Sequence, residues 1–159
     1  MANLRELKAY LNENAVTFAA YVSRTTTEYR LIESDKKGIA PIMEKLDIRP
    51  SYFRDAYVAD RVIGKAAAML LVASGVRAIY ADVMSEHAKK FIDTVMYDRT
   101  LGRNNAKIVE YEAKKVVPFI ENRMHTGMCP MESAVLKLDD YNQAYKTLKE
   151  ALENLQKNK

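Results

Sequence analysis

The stretch "DRVIGKAAAMLLVASG", from Asp60 to Gly75, decides the fold class because it joins an extended segment to an almost wholly apolar helix. A helix that is apolar on every side is typical of a buried position. A Gly-Lys pair at the start of a helix, here Gly64-Lys65, is also typical of phosphate-binding loops. The stretch therefore raises two questions: what buries this helix, and whether its start binds an anion.

The Gly64-Lys65 pair does not complete a nucleoside-triphosphate loop. That motif needs a glycine five positions before Gly64 and a hydroxyl residue after Lys65, and the sequence has Ala59 and Ala66 there. What remains is Lys65 at a helix N-terminus, where free N–H groups and the helix dipole favour an anion. Because a lysine opposes that dipole, we expect Lys65 to have a carboxylate or a ligand anion nearby. The alternative is a solvated lysine above a buried helix.

Extended and helical patterns alternate along the rest of the chain. The patterns predict helices at 4–12, 39–46, 85–96 and 130–138, a last helix from Asp139 or Asp140, and strands at 15–23, 27–34, 76–83 and 106–112. Ser85 is the predicted N-cap of the helix at 85–96. The two early strands are joined by a polar link typical of a hairpin. Such alternation predicts an α/β protein whose partly antiparallel sheet is covered on both faces.

Length and composition narrow the class of protein. The 159 residues predict one domain, 1–159, on which the C-terminal helix, 139–159, packs. The net charge of +4 is dispersed along the chain, which does not favour nucleic-acid binding. No segment is typical of a signal peptide or a membrane span. The single cysteine, Cys129, indicates a reducing cytoplasm.

A second stretch that could carry chemistry is "NRMHTGMCPMESAV", residues 122–135. His125, Cys129 and Glu132 lie within eight residues of one another, and all three types bind metals. With two histidines and one cysteine in the whole chain, however, the usual four ligands of a structural zinc are not available. Cys129, next to a helix start, is either an activated thiolate or an inert packed residue.

Five segments together resemble the bacterial family known as domain of unknown function 1893: "VADRVIGKAAAMLLV", "VRAIYADVMSE", "IVEYE", "VPFIENR" and "TGMCPMESAV". The resemblance runs from about Gly38 to Val135. It implies a cytidine deaminase-like fold, a three-layer sandwich in which helices cover both faces of a mixed five-stranded sheet. In zinc deaminases, one helix begins with His-x-Glu and another carries Pro-Cys-x-x-Cys.

This sequence departs from the deaminase pattern at the residues that hold and use zinc. By position, Lys65-Ala66-Ala67 stands where His-Ala-Glu stands, and Cys129 is followed by Glu132 where a second cysteine would be. The metal ligands other than Cys129 and the proton-transferring glutamate are therefore missing, so we predict no metal and no cofactor. We expect Lys65 and Glu132 to face each other across the former zinc site.

We draw the predicted site from these two stretches. The candidate ligand-binding residues are Asp60, Gly64, Lys65, Asn122, Arg123, Cys129 and Glu132; the catalytic candidates are Cys129 and Glu132. The favoured function is binding of a nucleotide, nucleobase or other small anion in a zinc-free cleft. The alternatives are an enzyme or redox-sensitive protein that uses Cys129, and a structural or interaction protein with a vestigial cleft. The sequence is compatible with a homo-oligomer, and we do not expect the protein to bind a membrane.

Overall fold

The computed structural model describes residues 3–25 and 27–157. The helices are α1 Leu4–Glu13, α2 Ala40–Ile48, α3 Lys65–Ala73, α4 Glu86–Thr100, α5 Pro130–Val135 and α6 Ala144–Lys157. The strands are β1 Phe18–Ser23, β2 Tyr29–Ser34, β3 Tyr57–Ile63, β4 Ala78–Ser85 and β5 Glu110–Val117. This order confirms the predicted alternation of strands and helices.

The strands form one five-stranded sheet in the order β2-β1-β3-β4-β5. β1 pairs with both β2 and β3 in antiparallel fashion, whereas β3, β4 and β5 are parallel. The predicted hairpin and the predicted mixed sheet are therefore confirmed. Because β3 and β4 are parallel neighbours, their carboxyl ends and the starts of α3 and α4 meet at one edge.

The helices cover the two faces of the sheet unequally. On one face, α1 packs Leu7 and Leu11 against Ala19, Ala59 and Tyr80. The other face forms the larger core with α2, α3, α4 and α6. α3 contacts β3 as well as α4, α5 and α6, and every residue from Ala66 to Val72 is buried. This arrangement explains why α3 is apolar on all sides.

Local sequence signals fix several element ends. The Ser85 side chain accepts the Ala88 N–H at 3.0 Å, which confirms the predicted N-cap of α4. Pro130 opens α5, as predicted. Asp140 caps a single 3-10 turn, Tyr141–Gln143, and α6 begins only at Ala144, a few residues later than predicted.

The predicted last strand, 106–112, is displaced in the structure to Glu110–Val117. Ala106 and Ile108 are apolar because they are buried in the core while still in a connecting segment. The strand runs on until Pro118, which has no N–H to give to a ladder.

In the part of the chain that the structure describes, no helix is long and apolar enough to cross a membrane.

Candidate site at the starts of helices α3 and α4

Gly64 is the N-cap of α3 and lies directly against two side chains from the C-terminal third of the chain. A Cβ atom at this position would lie 3.0 Å from Cγ1 of Ile120 and 3.4 Å from Cδ of Glu132. Gly64 has an extended backbone, so the glycine is needed for this close approach rather than for an unusual conformation. The absence of a side chain lets the Glu132 carboxylate reach the start of α3.

The Glu132 carboxylate occupies the place where a helix start binds an anion. Its Oε1 accepts the backbone N–H of Lys65 at 3.2 Å and the hydroxyl hydrogen of Ser85. Its Oε2 accepts the backbone N–H of Ile120 at 2.6 Å. Glu132 is 1% exposed, and hydrogen bonds to a buried carboxylate offset the cost of removing it from water. One carboxylate therefore joins α3, the start of α4 and the segment before α5.

The Lys65 side chain takes a different partner from the one predicted. Its Nζ donates to the backbone carbonyl of Leu136, just beyond α5, at 2.9 Å. Within residues 3–25 and 27–157, no ion pair shorter than 4.0 Å joins Lys65 to Glu132, so the two groups that we expect to face each other do not form a salt bridge. Burial lowers the pKa of Lys65, and the charges of Asp139 and Glu132 partly offset this effect. The ammonium group and the carboxylate hold α5 through separate contacts.

Cys129 is half-buried at the N-cap of α5, where its backbone N–H donates to the carbonyl of Ile120 at 2.7 Å. His125 is exposed, and its Nδ1 lies 2.5 Å from Oε2 of Glu121. Among the described residues, no group of three or more His, Cys, Asp or Glu side chains could hold a metal ion.

Asn122 and Arg123 belong to a turn before α5. Asn122 uses its side chain within that turn: Oδ1 accepts the N–H of Thr126 at 3.0 Å, and Nδ2 donates to the Thr126 hydroxyl at 3.1 Å. Arg123 is exposed, and the next residue, Met124, is 80% exposed. This turn connects Glu121 and Met128, which form an isolated antiparallel β-bridge.

Asp60 lies in β3, buried at 5% exposure. Its Oδ1 accepts the N–H of Val62 at 3.3 Å. Its Oδ2 is the buried side-chain atom without a hydrogen-bond partner in the described part of the chain. Burial raises the pKa of Asp60 to about 8, against a weaker effect of nearby backbone N–H groups and of Arg61. Asp60 is therefore a neutral carboxylic acid at pH 7.

Sequence reasoning missed two of the groups that bind Glu132. The sequence pattern marks Ser85 only as a helix cap, but its hydroxyl also donates to Glu132. The N–H of Ile120 is a backbone group, so no residue type marks it in the sequence. The signal that could have found Ser85 is its position at the end of β4, next to the end of β3 in the sheet.

The fold and the site define a mixed α/β protein in which two helix starts enclose a buried carboxylate of the same chain. The sequence profile described as "Domain of unknown function (DUF1893)", or TM1506, matches residues 7–152. The chain belongs to this family.

A solved structure supports the same fold. The chain is similar to a DUF1893 family protein (TM1506) from Thermotoga maritima, with a TM-score of 0.71 and 24% sequence identity. The similarity covers 92% of this chain and 88% of the Thermotoga chain. A comparison with curated proteins finds no match.

Proposed function

We propose that this protein is a zinc-free binding protein with a cytidine deaminase-like fold, whose site at the starts of α3 and α4 takes a small anionic ligand such as a nucleotide. The observation that carries the proposal is the coordination of Glu132 by the Lys65 N–H, the Ser85 hydroxyl and the Ile120 N–H. These donors suit a phosphate or carboxylate oxygen of a ligand as well as they suit Glu132.

A ligand anion binds at these donors only in exchange with Glu132. The exchange displaces Glu132, which lies on α5, a helix of six residues. The turn before α5 is largely exposed, whereas Met131 and Val135 of α5 are buried in the core, so the exchange must also move these two side chains. Lys65 then supplies a positive charge beside the vacated donors.

The test measures equilibrium binding of inorganic phosphate, AMP and CMP to the wild-type chain and to Glu132→Ala, with Glu150→Ala on α6 as the matched control. Removing the internal competitor should strengthen binding roughly tenfold or more, whereas the control should bind like the wild type. Absence of binding to a folded Glu132→Ala protein would contradict the proposal. If Glu132→Ala does not fold, Glu132→Gln takes its place.

A second candidate is a structural or interaction protein with a vestigial cleft. It is favoured by the burial of Glu132 at 1% exposure, with both carboxylate oxygens already accepting hydrogen bonds. A site of this kind needs no ligand. Under this alternative, Glu132→Ala loses stability and gains no affinity for any anion.

Chemistry at Cys129 has less support from the described contacts, because His125 faces Glu121 and Glu132 is bound to other groups. Alkylation rates of the thiol, compared between the folded and the urea-unfolded chain, test this alternative. A thiol that reacts faster in the folded protein would support it. The single cysteine also supports our prediction of a cytoplasmic location.

A further inference from the structure

β5 ends the sheet on one side in the part of the chain that the structure describes. It pairs with β4 along its whole length, and its other edge carries no strand among residues 3–25 and 27–157. The strand is eight residues long, and most of its side chains are exposed. An edge of this length presents a row of free N–H and C=O groups to another strand.

The backbone groups of β5 that point away from β4 belong to alternate residues. The Ala78 N–H donates to the Ala56 carbonyl, on the β3 side, at 3.3 Å, so Ile79 is the first residue of β4 that faces β5. A residue in a parallel ladder bonds to the two neighbours of the residue that it pairs with. Ile79 pairs with Tyr111 and so faces Glu110 and Glu112, which leaves the odd-numbered residues of β5 facing the free edge. These residues are Tyr111, Ala113, Lys115 and Val117. The usable edge ends with the strand at Val117, just before Pro118.

We propose that β5 pairs antiparallel with β5 of a second copy of this chain, about a two-fold axis that passes Ala113. In a continuous antiparallel sheet, two residues that lie directly opposite each other have their side chains on the same face. The two-fold axis therefore passes through a residue and not between two residues. An axis at Ala113 places Glu112 opposite Lys114 of the partner subunit, and Lys114 opposite Glu112 of the partner subunit. An axis at Glu112 or at Lys114 would place like charges opposite each other, which is destabilising.

Apolar surface agrees with this register. Val109 is 41% exposed, and the axis at Ala113 places it opposite Val117 of the partner subunit. Val116 is 40% exposed and lies opposite Glu110 of the partner subunit, where it can pack against the side-chain methylene groups. The pairing therefore covers two exposed valines while it joins opposite charges.

The other free edge of the sheet, β2, lacks this complementarity. An axis at Leu31 would pair Arg30 with Ile32, and an axis at Ile32 would pair Leu31 with Glu33. Neither register joins opposite charges. A contact between β5 and β2 of another copy would be heterologous and could continue into an open chain of molecules, whereas β5 with β5 closes on itself.

The test measures the dimer dissociation constant of the full chain by sedimentation equilibrium. Lys114→Glu should weaken the dimer roughly tenfold or more at low salt, because symmetry turns two attractive pairs into two repulsive ones. Lys146→Glu, on the exposed face of α6, is the control with the same change of charge and should leave the constant unchanged.

A compensating variant separates the register from a general effect of charge. Glu112 also pairs with Lys8 at 2.7 Å, so the swap combines Lys8→Glu, Glu112→Lys and Lys114→Glu. This triple variant should regain the dimer that Lys114→Glu loses. Hydrogen exchange of the wild type should show protection of the Ala113 and Lys115 amides that increases with protein concentration. A wild-type chain that stays monomeric at millimolar concentration, or a dimer that Lys114→Glu leaves unchanged, would overturn the proposal.

Discussion

Replacing Asp60 with asparagine should change how stability depends on pH. The pKa of Asp60 is raised from 3.8 to about 8 by burial, so the folded protein keeps a proton that the unfolded chain releases above pH 3.8. The contribution of Asp60 to the free energy of unfolding is therefore largest below pH 3.8 and falls progressively as the pH rises to about 8. One pKa unit corresponds to about 1.36 kcal/mol, so this loss is about 4 kcal/mol at pH 7.

Asparagine has no proton to lose, so Asp60→Asn should lack this decline. The charged groups that act on Asp60, Asp82 and Arg61, are present in both proteins, and the difference between the two proteins isolates Asp60. Urea unfolding, followed by circular dichroism at several pH values from 5 to 8, gives this difference. The variant should gain about 1 kcal/mol relative to the wild type for each pH unit. An exposed-site control, Asp35→Asn, should show no such trend, and a constant difference for Asp60→Asn would refute the reasoning.

Three further predictions concern the site and its surroundings. Gly64→Ala should lower the free energy of unfolding by about 1–3 kcal/mol, because the added Cβ lies 3.0 Å from Ile120; an unchanged urea midpoint would show that the contact is not tight. Arg61→Ala should lower the free energy of unfolding by about 1–3 kcal/mol in the same measurement. The Arg61 guanidinium donates to the carbonyls of Leu11, Asn14 and Val16 and pairs with Asp82. Near-wild-type stability would contradict the role of these contacts in anchoring the end of α1. Elemental analysis of the purified chain should find less than stoichiometric zinc, and one tightly bound zinc per chain would revive a site at His125, Cys129 and Glu132.

Much of the fold follows from patterns within the sequence. The uninterrupted apolar run after Lys65 predicts a buried helix, and the structure surrounds α3 with the sheet and other helices. Ser85 and Pro130 are local signals and mark helix starts correctly. The start of β5 could not be read in this way, because Ala106 and Ile108 owe their apolar character to the core rather than to a strand.

The site depends on contacts between distant parts of the chain, and the sequence gives only part of it. The positions of Gly64, Lys65 and Glu132 predict a carboxylate near the start of α3, and the structure places one there. Which donors bind it could not be predicted, because a backbone N–H carries no residue signature. The Lys65 ammonium reaches the Leu136 carbonyl instead, a choice set by the path of the chain after α5.

Rescue of Glu132→Ala by formate measures whether the donors at the starts of α3 and α4 bind an anion. In the wild type, the donors at the starts of α3 and α4 bind the Glu132 carboxylate. Formate should therefore raise the thermal unfolding midpoint of Glu132→Ala more than that of the wild type or of Glu150→Ala, at equal ionic strength. An equal effect of formate on all three proteins would contradict the account.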